Sequence, residues 1–529
     1  MVLPPQSRAP YQRPSWVARR PLFATVGAGL VSLSGVLLAG SAGSEPAYPA
    51  PPPPPAANDH APDIEAAVLA ITRESLFKDA AIGIAVLDID SGHYLAVSHE
   101  HEPLNPASNA KLYTAACALA TLHGDHRYET TLSGRIKGSS VSGPLVLRGY
   151  GDPSLRSADL WELAQELKGR GIRKVEGDIV VDQRFFDDQT TPPAFEQQPH
   201  EWAAFRAPVS AVSINENTLT MTVRPTSAGS PAIVTFDPPG YVDADGTIQS
   251  VEGGGADTVG LALAGNDQRM TAHVSGAIAL DSKVARFTRR VEDPTLLAGY
   301  ALKEILDEMK IDVGGDVKTG GKDTRNLPVI ALHKSAPLAS LLYELGKMSD
   351  NFYAETVFKT IAGERRGRPA HAGDSAEVLT RWLGDVGAFE PGVVIKNGSG
   401  LFDANRVTAA STVQLLRAAW RDTAIREEYV AQLSIGGVDG TLRGRFKKET
   451  QRRAVRAKTG TLDDAIALSG YVLPPPGKGP LAFSVLFNKV EGKAYGARAA
   501  ADKLVELLAE RLWGEEKDGA ARSGQGTRE

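Results

Sequence analysis

Two sets of strand-like runs at opposite ends of the chain constrain its fold more than any other feature of the 529 residues. Near the start, Ile82-Gly83-Ile84-Ala85-Val86-Leu87 and Tyr94-Leu95-Ala96-Val97 flank Asp90-Ser91-Gly92, which reads as a β-hairpin. Near the end, residues 455–458, 465–472 and 481–488 read as three successive strands, followed by an amphipathic helix over 496–513. A lone hairpin is marginal in water, so the early pair is expected to join the late three in a five-stranded antiparallel sheet. Helical patterning over 63–77, 336–365, 372–388 and 408–433 supplies helices from both halves to flank it. The fold class expected is an α/β core split by a long insertion.

The insertion, about 126–325, has a different character. Short strand-like runs at 144–149, 177–182, 218–224, 232–236 and 270–275 are separated by turns rich in Gly, Pro and Asp. Helical stretches around 157–169 and 294–310 interrupt them. Residues 215–285, with Gly253-Gly254-Gly255 inside, are the most strand-rich part.

The first residues have another logic. Arg8, Arg13, Arg19 and Arg20 precede an apolar run from Leu22 to Ala39, which leads into Gly40-Ser41-Ala42-Gly43-Ser44. That is the layout of a secretory signal peptide, and the Gly and Ser within the run favour cleavage over permanent anchoring. Pro51 to Pro55 then form the centre of a stiff spacer. A net charge of −5 gives no reason to expect a nucleic-acid partner. The single cysteine, Cys117, allows no internal disulfide and sits in an apolar helical run, so it reads as a buried structural thiol.

Chemistry concentrates in three short motifs. Pro106 suits the first turn of a helix, and a small-residue apolar run follows to Leu122. Helical spacing puts Ser108 and Lys111 on one face, where a lysine whose charge is depressed by burial can activate a serine. Ser75-Leu76-Phe77-Lys78 has the same spacing but ends its amphipathic segment instead of starting one. Ser349-Asp350-Asn351 opens a second helical segment; such residues are also what ordinary helix starts prefer. Lys458-Thr459-Gly460-Thr461 ends a strand, where a lysine and a hydroxyl suit a carboxylate and Gly460 admits a ligand backbone. A second copy, Lys318-Thr319-Gly320, precedes Ser349 with no apolar strand after it and reads as a turn. Each motif alone is weak. The ordered set Ser-x-x-Lys, Ser-Asp-Asn, Lys-Thr-Gly is specific to penicillin-binding proteins and class A β-lactamases.

With those motifs the sequence strongly resembles the low-molecular-mass (class C) penicillin-binding proteins of the D-alanyl-D-alanine carboxypeptidase/endopeptidase type, over about residues 60–513. Further likeness lies in Leu147-Arg148-Gly149-Tyr150-Gly151-Asp152-Pro153-Ser154-Leu155, Gly177-Asp178-Ile179-Val180-Val181-Asp182, Asn397-Gly398-Ser399-Gly400-Leu401 with Asn405-Arg406-Val407, and Gly437-Val438-Asp439-Gly440-Thr441-Leu442. Lys111 and Ser349 stand 238 positions apart, as a subgroup with domains inserted there requires.

The resemblance implies a penicillin-binding, serine β-lactamase-like transpeptidase fold and a serine hydrolase of peptidoglycan stem peptides and cross-links. It implies that Ser108 attacks, Lys111 is the base, Ser349 passes the proton to the leaving D-alanine and Asn351 holds the acyl amide. Lys458 and Thr459 bind the terminal carboxylate, and the N–H groups of Ser108 and Thr461, beyond Gly460, form the oxyanion hole. No metal or cofactor is implied. The expected partners are stem peptides, and β-lactam antibiotics as acylating inhibitors, with at most peripheral membrane association in the periplasm or at the envelope exterior. In the stretch Trp202-Ala203-Ala204-Phe205-Arg206, Arg206 is a candidate for attracting an acidic substrate group. Asp152, Asp182 and Asp439 read as turn-holders. Two other readings are a non-catalytic wall-binding relative and a β-lactamase or esterase on the same scaffold.

The organisation expected is a signal peptide (1–44), a Pro-rich linker (45–60) and a catalytic domain in two parts (61–130 and 333–514). One inserted domain, itself in two parts (131–214 and 286–332), encloses a β-rich domain (215–285), and a disordered tail (515–529) ends the chain.

Overall fold

The structure, a computed structural model, describes residues 61–523 apart from 255–256, 267–268, 321–323 and 325. The apolar run Leu22 to Ala39 and the proline spacer lie outside the described residues. The early hairpin forms Ala81–Asp88 and Tyr94–Ser98, and the late strands are Val455–Thr461, Ala465–Val472 and Leu481–Asn488. The two ends meet where Ala81–Asp88 lies antiparallel to Leu481–Asn488, with Ala81 opposite Asn488. A sixth strand, the two-residue Ser434–Ile435, adds to the outer edge of Val455–Thr461. Two residues carry no periodicity, which is why this strand has no sequence signal.

Both faces of the sheet are covered. Ile82, Ile84 and Val86 share a core with Ile64 and Val68 of the helix Pro62–Arg73 and with Leu504, Val505 and Leu508 of the C-terminal helix. Ala85 and Leu87 belong to the opposite core, with Leu112, Ala115 and Ala116 of the helix Ala110–Leu122. Successive strand residues alternate between faces, and here neither face meets water. The strands therefore read as unbroken apolar runs.

The helix Ala110–Leu122 is buried from Ala110 through Leu119, and its small side chains let it lie between the sheet and the helix Asn351–Arg365. Cys117 is buried in it, and burial pushes the thiol up to about 12. The C-terminal helix spans Ala494–Ser523, so its backbone runs past residue 515, where the sequence reads as disordered. Glu, Lys, Ala and Arg in that stretch are good helix formers. Residues 524–529 lie outside the described residues.

Within the insertion, strands Glu129–Lys137 and Ser140–Gly149 lie at the centre of a seven-stranded mixed sheet. Ser140–Gly149 pairs in parallel with Lys174–Val175 and Ile179–Asp182, and these pair in parallel with Asp312–Val313 and Val317–Thr319. The helices Ser157–Gly169 and Leu297–Glu308 share its core through Leu160, Leu163, Ala298 and Leu302. From Thr218 to Arg290 the described chain forms only strands and connections.

The Lys318-Thr319-Gly320 copy is not the turn its sequence predicts. Val317–Thr319 is a short strand, and Lys318 pairs with Asp178 at 2.9 Å. Val317 alone of the three is buried, so this strand forms without an apolar run.

Candidate active site

The local sequence positions the nucleophile by backbone means. Pro106 leads into a 3-10 turn, Ala107–Asn109, that feeds directly into the helix Ala110–Leu122. Asn105 accepts from the Ala107 N–H at 2.9 Å, and Ala107 has φ of 46°, a conformation costly for a non-glycine residue. The close approach of Gly400 holds it there: a Cβ on Gly400 would lie 1.8 Å from the Ala107 carbonyl. Gly460 plays the same part from the sheet side. Its missing Cβ leaves room for the Pro106 carbonyl, which would stand at 2.7 Å. The glycine of the third motif therefore seats the nucleophile turn; ligand approach was the sequence expectation.

Lys111 is fully buried and donates to Ser108 Oγ (3.2 Å), Asn351 Oδ1 (2.7 Å) and the Ser399 carbonyl (2.8 Å). Burial pulls its ammonium down to about 7, against the opposing pull of Glu355 and Asp350. Near neutrality it can therefore accept a proton, and its nearest hydroxyl is Ser108.

The second motif divides its labour. A π-turn, Glu344–Met348, and a left-handed Ser349 (φ 62°) break the helical pattern that reads as continuous over 336–365. Asp350 caps the next helix by accepting from the Tyr353 N–H at 2.9 Å. Ordinary capping thus falls to Asp350, and Ser349 and Asn351 face the site. Asn351 Nδ2 donates to the Phe205 carbonyl at 2.9 Å, so a segment of the insertion holds the far end of this amide.

Lys458 Nζ is buried, donating to Ser349 Oγ (2.7 Å) and the Thr459 carbonyl (2.8 Å). Burial and the neighbouring Lys111 hold its ammonium well below the usual lysine range. Toward solvent, the Thr459 and Thr441 hydroxyls stand 3.0 Å apart. The edge strand Ser434–Ile435 ends opposite Ala457, leaving the outer rim of Thr459–Thr461 without a strand partner. Leu462 donates to Ala465 across the hairpin, and pairs alternate along an antiparallel ladder. The Thr461 N–H therefore turns to that open rim.

The structure brings Ser108, Lys111, Ser349, Asn351 and Lys458 together and keeps the other copies apart. Ser75 lies in a short exposed turn between the first helix and the hairpin. Arg206 departs from expectation: it is buried and donates to the carbonyls of Phe195 and Pro199. Three of its N–H groups are spent on these carbonyls, and burial turns the guanidinium inward, away from an acidic substrate group. Asp152 accepts from Ser154, Asp182 from Arg148 and Arg184, and Asp439 from Ile435 N and Lys347. All three hold local structure.

Besides the Phe205 carbonyl, two participants were missed. Glu355 accepts from the Gly398 and Ser399 N–H groups, and Ser399 offers its carbonyl to Lys111. The only signal for Glu355 was an acid one helical turn after Asn351 in an apolar helix.

A model of the D-Ala-D-Ala carboxypeptidase 3 (S13) family matches residues 64–511. The chain belongs to that family. S13 relatives include a D-alanyl-D-alanine carboxypeptidase of Actinomadura sp. (strain R39), 33% identical over 85% of this chain and 85% of that one. The D-alanyl-D-alanine carboxypeptidase DacB of Haemophilus influenzae is 25% identical over 78% of this chain and 87% of its own. A crystal structure of penicillin binding protein 4 (dacB) from Haemophilus influenzae shares the fold, with TM-score 0.68 at 24% identity over 83% of this chain and 98% of that one. This S13 chain is thus a serine peptidase on a penicillin-binding α/β scaffold.

Proposed function

We propose that the protein is a D-Ala-D-Ala carboxypeptidase and D,D-endopeptidase that cleaves peptidoglycan stem peptides and cross-links through an acyl-enzyme on Ser108. The observation that carries this reading is the contact between Ser108 Oγ and a fully buried Lys111 whose proton affinity is brought to about 7. Lys111 takes the Ser108 proton as Oγ attacks the penultimate D-alanine carbonyl. The developing oxyanion is met by the N–H groups of Ser108 and Thr461. Ser349, already bonded to Lys458, relays that same proton: it gives its own to the departing D-alanine nitrogen as the C–N bond breaks and takes the Lys111 proton in its place, which leaves Lys111 neutral again. Asn351 spends its oxygen on Lys111 and one N–H on Phe205, which leaves its second N–H for the acyl amide. The terminal carboxylate meets the Thr459 and Thr441 hydroxyls at the open rim, with Lys458 behind them. The substrate backbone extends the sheet along Thr459–Thr461. Water then releases the acyl group. Residues 1–44 are read as an export signal, in keeping with a substrate outside the cytoplasmic membrane. Among the described residues no helix is long and apolar enough to cross a membrane.

Intact-mass spectrometry after incubation with benzylpenicillin, followed by peptide mapping, tests this. A stable adduct on Ser108, absent from Ser108→Ala, is expected. No adduct with penicillin intact overturns it in favour of a wall-binding protein, and no adduct with penicillin destroyed points to a β-lactamase.

A further inference from the structure

We propose that Glu355 is a positioning residue for Lys111, acting through the Ser399 carbonyl and through its own charge. This rests on the reading of Lys111 as the base for Ser108. Glu355 stands one helical turn beyond Asn351 on the helix Asn351–Arg365, so the two side chains lie on one face. It is buried, and each carboxylate oxygen accepts one backbone N–H, Oε2 from Gly398 at 3.0 Å and Oε1 from Ser399 at 2.8 Å. Burial raises the Glu355 carboxyl, while the Ser399 side chain, the two backbone N–H groups and the Lys111 charge oppose that and favour the carboxylate. The fork fixes the backbone at residues 398–399, and the Ser399 carbonyl is the third acceptor of the Lys111 ammonium. Asn351 and Glu355 thus place both anchors of Lys111 other than its nucleophile, one by a side chain and one through the turn.

The turn has little freedom to hold itself. Gly398 is packed against the Ala354 carbonyl, where a Cβ would stand at 2.5 Å, and Gly400 against Ala107. A shift at residues 398–400 therefore moves both the Lys111 acceptor and the nucleophile turn. Charge adds a second effect. The charged groups facing Lys111 are Glu355 and Asp350 on one side and Lys458 on the other. Glu355 also faces Lys359, which is already paired with Asp187. The Glu355 carboxylate favours the protonated lysine, partly offsetting desolvation, so it sets the pH at which Lys111 becomes a base.

The test is the rate of acylation by a fluorescent penicillin between pH 5 and 9, for the unmodified protein, Glu355→Gln, Glu355→Asp and Lys111→Ala, with thermal melting of each. Glu355→Gln is expected to acylate slower at the plateau by on the order of tenfold to a hundredfold. Its acid limb should move roughly one pH unit lower, because the lost negative charge lowers the lysine pKa. Glu355→Asp keeps the charge and shortens the reach, so its limb should stay while its plateau falls. An unchanged rate and limb in Glu355→Gln overturns the proposal, as does a slower rate with an unmoved limb, which marks a structural role alone. Should Glu355→Gln fail to fold, Glu355→Asp decides: an undiminished plateau or a displaced limb overturns it. Normal acylation by Lys111→Ala would instead defeat the underlying reading of the base.

Discussion

At the scale of single residues, the site is two buried lysines, each paired with its own serine. Lys111 serves Ser108 and Lys458 serves Ser349, and no described bond joins the two halves. The sign of the pH dependence follows from burial. Lys111 is a base only when neutral, so acylation should fall about tenfold per pH unit below pH 7 and level off above it. A single-turnover pH profile with penicillin checks this; an acid limb near pH 10 would show an unperturbed lysine. Ser108→Ala should abolish acylation with melting unchanged to within a degree or two, since the hydroxyl fills no core volume. Lys111→Ala should acylate slower by about two to four orders of magnitude, the worth of a positioned general base. Residues of this kind were legible because their chemistry is written in side chains at fixed spacing. What escaped was carried largely by backbone: the Ser399 and Phe205 carbonyls have no residue-type signature, and Glu355 bonds to backbone N–H groups that no side-chain spacing marks. Arg206 was misread because a sequence does not show that a guanidinium is turned inward.

At the scale of elements, glycines determine how closely the nucleophile turn packs. Gly460→Ala would drive a methyl into the Pro106 carbonyl, and neither the sheet nor the turn can yield without moving Ser108. Acylation should drop at least tenfold with a loss of roughly 1–3 kcal/mol in denaturant unfolding. Wild-type acylation by this variant would show that the turn is not braced from the sheet. The strands themselves were legible because both of their faces are apolar. The two-residue edge strand and the parallel pairings of the inserted sheet were not, since pairing partners far apart in sequence leave no periodicity in either strand.

At the scale of the whole molecule, the insertion is tied to the site by named bonds. Phe205 holds Asn351, and Lys359, on the same helix, is buried against Asp187 and the Gln189 carbonyl. Lys359→Ala leaves the buried Asp187 carboxylate with His371 as its remaining partner and should cost about 1–3 kcal/mol in urea unfolding. A change below 1 kcal/mol would show that this tie bears no weight. The catalytic sheet has a further consequence for biogenesis. Ala81 waits for Asn488, so a nascent chain carries its nucleophile long before the strand beside it has been synthesised. The inserted sheets, contiguous and complete by residue 334, can form first, since domains fold as units during synthesis. Activity then switches on only when the last strand arrives. A ribosome-bound or translocating chain in this way holds its nucleophile segment apart from the completed sheet until residues 481–488 are made.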